Sequence, residues 1–229
     1  MEAFQRAIDL GYRYVETDLH VTADGVLLLL HDHTLARVAG QDVRVDALSW
    51  AQVQRSRVAG RAPIPQLEDI LGTWPQLRLN LDLKVMGAVA PLVEAIRRTG
   101  AVDRVCVGSF SDRRLARVRA ALGPRLCTSL GPRHALALRA AATGDLARWL
   151  APRRIPCAQL PEQYGRIQVV TPRLVETAHR YGLQVHVWTV DEPERMDRLL
   201  DLGVDGIMTD RPHTLREVLQ RRGQWTEAR

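Results

Sequence analysis

Leu77-Arg-Leu-Asn-Leu-Asp-Leu-Lys-Val85 alternates without a break, with leucine at 77, 79, 81 and 83 and Arg78, Asn80, Asp82 and Lys84 between and after them. On a strand, successive side chains point to opposite faces, so the leucines share one face and the polar residues the other. Alternation alone also suits a half-exposed antiparallel strand. The residues downstream favour a different context. Apolar runs at 105–110, 126–130, 157–160 (or 167–170), 185–190 and 206–209 alternate with helical spacings near 88–99, 112–122, 132–142, 172–181, 192–202 and 213–221. Strands and helices that alternate over short connections build a parallel sheet, and this many units predict an α/β fold, a (β/α)8 TIM-type barrel. No strand of such a barrel has a solvent face, so inward-pointing Asn80, Asp82 and Lys84 need partners or a function. Asp82 and Lys84 lie toward the C-terminal end of their strand, where barrel active sites are built.

Upstream, Tyr14-Val-Glu-Thr-Asp-Leu-His-Val-Thr-Ala-Asp-Gly-Val-Leu-Leu-Leu-Leu-His-Asp32 reads as a strand, a turn at Asp24-Gly25, and an apolar run that delivers His31-Asp32. Glu16 and Asp18 share a face with Tyr14 and His20. Two neighbouring carboxylates repel unless a cation or proton sits between them, which points to a hard metal ion; a solvated pair on an edge strand is the bland alternative. His31 is a candidate acid/base group beside that pair. His20 is a candidate barrel or rim residue, and His33 reads as loop. Lys84 is the single lysine in the sequence and Asn80 the single asparagine. A chain that otherwise uses arginine for its positive charge keeps a compact ammonium here.

The 229 residues suit one domain with a sizeable core, and the 46% hydrophobic and 25% charged content is that of a soluble globular protein. No apolar run approaches the ~18–20 residues of a membrane span, and no signal peptide opens the chain. The net charge of +6 is spread along the helices, with no nucleic-acid motif beside it, so no nucleic-acid partner and no stable membrane insertion are expected. Cys106, Cys127 and Cys157 are scattered in apolar runs and read as buried core thiols, which suits a reducing cytoplasm. A helix is expected over 2–10 with Gly11 as its stop, another around 49–57, and a third opening near Leu67. Residues 144–168 read as loop with one short strand.

Glu16-Thr-Asp18, Thr22-Ala-Asp24-Gly25 and His31-Asp32 together resemble the glycerophosphodiester phosphodiesterase family. The resemblance extends through the spacing of 63–72, Ser109-Phe110, Trp188 in Val185-His-Val-Trp-Thr-Val190, and Gly203 to Pro212, covering Met1 to about Leu219. It implies a phospholipase C-like phosphodiesterase barrel that hydrolyses a small glycerophosphodiester to glycerol 3-phosphate and an alcohol. Glu16 and Asp18 match two of the family's metal ligands. Asp82 matches a third, commonly Glu there, so its reach is shorter by one methylene. Oxygen-only ligands favour Ca²⁺ or Mg²⁺. The resemblance makes Lys84 the basic residue that holds the phosphate and His31 one of two acid/base histidines. Phe110 and Trp188 fall at its substrate-lining positions. Ser109 equally suits a cap for the next helix, with Phe110 in the core. Asp210 suits a cap or loop-ordering role better than a catalytic one.

The family's other histidine lies in a His-Arg-Gly motif on its first strand, and these 229 residues contain no such motif. The expected organisation is therefore one barrel domain over 1–229, truncated at its start, with an insertion over 35–74. The strand at 12–21 and that at 206–209 would each lack a neighbour, and the chain as it stands would be weakly active or inactive. Two other functions fit the same residues. One is a phospholipase D-like barrel acting on lysophospholipids or sphingolipids, favoured by an apolar loop around 130–150 or an exposed hydrophobic rim. The other is a catalytically inactive barrel that binds phosphate.

Overall fold

The computed structural model describes residues 1–142 and 155–226. The chain divides into two compact units, Met1–Cys127 and Thr128–Arg229.

The first unit opens with α1 (Glu2–Asp9) and β1 (Tyr14–Val21). The chain reverses at Asp24-Gly25. The Thr22 hydroxyl donates to Asp24 at 2.6 Å and accepts from the Val26 amide at 2.9 Å, and Gly25 takes φ 87°, a backbone region that disfavours any side chain. β2 (Leu27–Leu29) then returns antiparallel to β1, pairing Leu19 with Leu29 and Val21 with Leu27. The edge of β1 predicted to lack a neighbour is thus covered over Leu19–Val21 by a run too short and too close in sequence to count as a barrel strand.

The excursion after Leu30 is built of short pieces: β3 (Thr34–Leu35), α2 (Ala36–Ala39), β4 (Gln41–Arg44), α3 (Trp50–Val53), β5 (Arg57–Val58) and β6 (Ala62–Pro63). It has a small core of its own, with Leu28, Leu30, Leu35, Val45, Val53 and Ile64 buried together. The helix expected over 49–57 is only one turn long. Gln52 accepts from the Ser49 amide at 2.8 Å to open it, but the Arg57–Val58 backbone is taken by a hairpin with Ala62–Pro63. The Asp24 carboxylate accepts the Trp50 amide at 2.9 Å and so ties the first turn to this excursion.

The regular alternation follows as predicted: α4 (Leu67–Thr73), β7 (Arg78–Leu83), α5 (Val89–Thr99), β8 (Val105–Gly108), α6 (Asp112–Leu122) and β9 (Cys127–Thr128). The sheet order is β2-β1-β7-β8-β9, with β1, β7 and β8 parallel. Leu79, Leu81 and Leu83 are buried among Leu67 and Ile70 of α4, Leu92 and Ile96 of α5, and Leu115 and Val118 of α6. Each fully buried leucine contributes ~1.5–3 kcal/mol, so the register cannot slip by one residue without losing all three. The opposite face is thereby committed to Asn80, Asp82 and Lys84.

In the second unit α7 (Pro132–Ala141) precedes a parallel sheet of order β10-β13-β14, formed by β10 (Cys157–Pro161), β13 (Gln184–Trp188) and β14 (Gly206–Ile207). Residues 157–160 therefore supply the sheet strand. The alternative, 167–170, instead contributes β12 (Ile167–Gln168), which forms a hairpin with β11 (Gln163–Tyr164). The part of the 144–168 reading that falls on 144–154 lies outside the described residues. Helices α8 (Pro172–Arg180), α9 (Pro193–Asp201) and α10 (Pro212–Arg221) each carry proline in the first turn, where its missing N–H costs nothing. Gly206 is needed for packing, because a Cβ there would meet the His186 ring at 3.0 Å. The loop before α10 is ordered by Asp191, which accepts from the Thr209 hydroxyl and the Asp210 amide; Asp210 itself caps nothing, Arg211 being the cap residue.

Candidate active site

Parallel pairing in the first unit lines side chains up in rows. Glu16 stands beside Asn80 and Asn80 beside Cys106; one pleat further along, Asp18 stands beside Asp82 and Asp82 beside Gly108. The two aspartates would repel, and Lys84 resolves this. Its Nζ lies 2.8 Å from Asp18 Oδ1 and 2.7 Å from Asp82 Oδ2, and the three side chains are only 22, 18 and 15% exposed. Burial alone would lower the Lys84 pKa, but the hydrogen bonds to Asp18 and Asp82, with their charges, outweigh it and raise the pKa above the ordinary lysine value. The Lys84 amide donates to the Leu19 carbonyl at 3.2 Å, which keeps the end of β7 against β1.

His31 reaches this centre through the backbone. The Leu30 amide donates to the Asp18 carbonyl at 3.0 Å, and the buried His20 places Nε2 at 3.2 Å from the His31 carbonyl. A carbonyl only accepts, so His20 Nε2 carries the proton. Burial pushes the His20 pKa down, against the His31 carbonyl, which raises it, and with the Lys84 charge, which lowers it; the ring is neutral at neutral pH. His20, read from sequence as a barrel or rim residue, is thus the peg that fastens His31 to the carboxylate strand.

The His31 ring is exposed, with Nδ1 at 2.7 Å from Asp32 Oδ1, and Arg37 Nε lies 2.6 Å from Asp32 Oδ2. Arg37's hydrogen bond, then His31's, holds the Asp32 carboxyl at about 2. An ionised carboxylate only accepts, so His31 Nδ1 carries the proton of that hydrogen bond, and Nε2 is the ring nitrogen turned away from Asp32. The sequence pattern assigns neither Asp32 nor Arg37 these roles, although an aspartate directly after the histidine is a legible signal. Because the Asp32 pKa is depressed, its contribution is present above the unfolded value of ~3.9 and is lost as pH falls through about 2. R37A is expected to move Asp32 upward toward ~3.9, read as a carboxyl-carbon NMR titration; an Asp32 midpoint unmoved by R37A would mean that His31 alone sets it.

Other predicted residues fall out differently. Glu16 is exposed on β1, on the same face as Asp18 and one residue pair before it. Ser109 is not a helix cap: its buried hydroxyl donates to the Leu83 carbonyl at 2.7 Å, and Ser111 caps α6 by accepting from the Arg114 amide. Phe110 is not core either, being 65% exposed just beyond the end of β8. Trp188 ends β13 in the second unit, half-buried and in register with Pro161. Of the thiols, only Cys157 is buried. Cys106 lies between the buried Val105 and Val107, so alternation turns it to the face of Asn80, where it is half-buried, as is Cys127.

Parallel strands joined through helices, with the charged side chains gathered at strand ends, define a (β/α)-barrel enzyme, here a phosphoric diester hydrolase. Residues 1–214 match the model of the glycerophosphoryl diester phosphodiesterase family, and the chain belongs to that family. It is 46% identical over 230 residues, covering 100% of this chain and 87% of the relative, to "Probable glycerophosphodiester phosphodiesterase 2" of Mycobacterium tuberculosis. It is 29% identical to a glycerophosphodiester phosphodiesterase of Caldanaerobacter subterraneus, covering 96% and 91% of the two chains. In fold it resembles an Oleispira antarctica phosphodiesterase solved with the product sn-glycerol-3-phosphate, at a TM-score of 0.79 and 18% identity over 96% of this chain and 90% of that one. Among the described residues no helix is long and apolar enough to cross a membrane.

Proposed function

We propose that this chain hydrolyses small glycerophosphodiesters to glycerol 3-phosphate and an alcohol with the help of a divalent cation, Ca²⁺ or Mg²⁺. The observation that carries the reading is the Lys84 ammonium held between Asp18 and Asp82, with the Asp18 carbonyl accepting the amide of Leu30, the residue before His31. The names of the relatives support the substrate class, as does the product held by the Oleispira antarctica enzyme. The donor set suits a hard cation: it is all oxygen, and two of its carboxylates already stand as neighbours around a positive charge. Glu16, Asp18 and Asp82 would hold that cation, which supplies positive charge that draws electron density from phosphorus. Lys84 donates charge-assisted hydrogen bonds to a phosphate oxygen. As water attacks phosphorus and the P–O bond to the alcohol breaks, His31 Nε2 takes a proton from the attacking oxygen or returns one to the leaving oxygen. Phe110, exposed beyond β8, offers an apolar wall for the glycerol or head group. The three thiols suit a reducing cytoplasm.

A second reading has a specific observation behind it. A lysophospholipase D of Rattus norvegicus is 25% identical over 96% of this chain, and Tyr164 and Ile167, paired on the β11–β12 hairpin, are exposed apolar side chains of the kind that suit an acyl-bearing substrate. The apolar loop expected around 130–150 falls partly outside the described residues.

The test is release of glycerol 3-phosphate from glycerophosphocholine with Ca²⁺, Mg²⁺ or a chelator, beside lysophosphatidylcholine with its products identified. It is run on the 229-residue chain and on a form extended upstream in frame. Metal-dependent release supports the proposal. Release by the extended form alone assigns the second proton transfer to residues upstream, and release by both shows a second histidine to be dispensable. Preferential turnover of the acylated substrate moves the assignment to the second reading. Folded protein that binds glycerophosphocholine and turns over neither substrate is the phosphate-binding barrel.

A further inference from the structure

The chain has 32 lysine and arginine residues, of which Lys84 is the single lysine, and Arg114 is among the arginines that stand in the first turn of a helix. Arg114 is in the first turn of α6, where the positive pole of the helix favours an acid. It is also half-buried, and burial pulls its guanidinium below the usual arginine value while the Asp82 charge pushes it back up. Two costs at one residue call for compensating contacts, and these are specific. Nε donates to the Ser109 hydroxyl at 2.8 Å, and Nη1 donates to the Lys84 carbonyl. The Ser109 hydroxyl in turn donates to the Leu83 carbonyl at 2.7 Å. One planar fork therefore joins the exit of β8 to the last two carbonyls at the exit of β7, a geometry that a lysine's point charge cannot reproduce.

We propose that Arg114 is a positioning residue for Lys84, fixing the main chain from which the ammonium reaches across Asp18 and Asp82. The inference rests on the reading of Lys84 as the group that holds the phosphate. Lys84 has a flexible four-carbon stem, and a stem rooted in a mobile strand end would spread the ammonium over several positions. Held at its root by Arg114 and at its tip by two carboxylates, it presents one geometry. An error of about 1 Å in such a group costs on the order of 10²-fold in rate. Fastening Ser109 in the same network also sets the start of the segment that carries Phe110.

Because Lys84 is the only lysine, protein labelled with ¹³Cε-lysine gives a single methylene carbon signal with no assignment problem. In the wild type, an immobilised stem keeps its two ε protons inequivalent. R114M, which retains bulk but has no donor, is expected to merge them and to lower kcat for glycerophosphocholine about 10–10²-fold at saturating divalent cation, with KM within about threefold. R114K, able to reach one acceptor, recovers part of both effects. R113A, at an exposed neighbour on the same helix, changes neither. Should R114M not fold, S109A removes the shared hydroxyl and is expected to shift the same two readouts in the same direction. A melting temperature lowered by R114M with the lysine signal and kcat intact would reduce Arg114 to a structural tie and overturn the proposal. If the wild type hydrolyses no glycerophosphodiester, the functional reading fails by itself, and the ε-proton signal still decides whether Arg114 holds Lys84.

Discussion

H31A is expected to lower kcat about 10²–10⁴-fold, the usual contribution of one positioned acid/base group, with little change in KM or melting temperature. The small stability effect follows from exposure: the ring touches Asp32 and solvent, and what anchors residue 31 to the centre is its carbonyl, which alanine retains. D32N separates orientation from proton transfer. An asparagine side chain can offer its N–H₂ instead of a carbonyl oxygen to Nδ1, which allows the other tautomer and no longer stabilises an imidazolium. Its expected loss is ~10–10²-fold, smaller than that of H31A because the ring survives. Measured together, the two variants discriminate clearly. If D32N falls as far as H31A, the pair acts as a unit. If H31A retains wild-type turnover, proton exchange lies elsewhere and the assignment of Nε2 is wrong.

Alternation makes the largest part of this fold legible in the sequence. A strand with leucine at 79, 81 and 83 has one way to bury three large side chains, and that choice turns Asp82 and Lys84 to the opposite face. Asp18 then meets Asp82 because parallel pairing joins residues of equal depth, so the centre follows from two strands and their register. The parts that the sequence does not reveal all depend on neighbours distant along the chain or on competition between short elements. Nothing local distinguishes Arg114 from the other arginines, since its role exists only once β7 and β8 end side by side. Ser109 and Ser111 are both plausible caps by type, and only the start of α6 decides between them. The helix expected over 49–57 loses its second half because Arg57 and Val58 gain hairpin hydrogen bonds that one more helical turn would forgo.

Lys84 also makes a prediction that needs no substrate. K84M keeps the bulk of the side chain but leaves Asp18 and Asp82 as adjacent, mostly buried carboxylates with no cation between them. Breaking a buried ion pair costs ~3–5 kcal/mol; partial exposure discounts this, so ~1–3 kcal/mol of destabilisation is expected in chelator at pH 8. The sign of the pH dependence is fixed by the same geometry. In wild type the Lys84 pKa is raised, so its contribution is fully present below the unfolded value of ~10.4 and is lost only as pH rises through the higher folded value. Between pH 5 and 9 that contribution is constant. In K84M two like charges raise the pKa of one carboxyl, the folded state binds the extra proton, and stability falls as pH rises. The deficit of K84M relative to wild type is therefore expected to be widest at pH 8–9 and to narrow toward pH 5. A divalent cation that binds only the folded state adds RT ln(1 + [L]/Kd), so, on the proposed ligand set of Glu16, Asp18 and Asp82, Ca²⁺ or Mg²⁺ is expected to restore stability to K84M with the logarithm of [L]/Kd. On the proposed reading of Lys84 as phosphate donor, turnover is not expected to recover with it, the loss being ~10²–10³-fold. A K84M protein that melts with wild-type stability in chelator at every pH would show that the two aspartates do not need the ammonium, and the centre would have to be rebuilt from another cation.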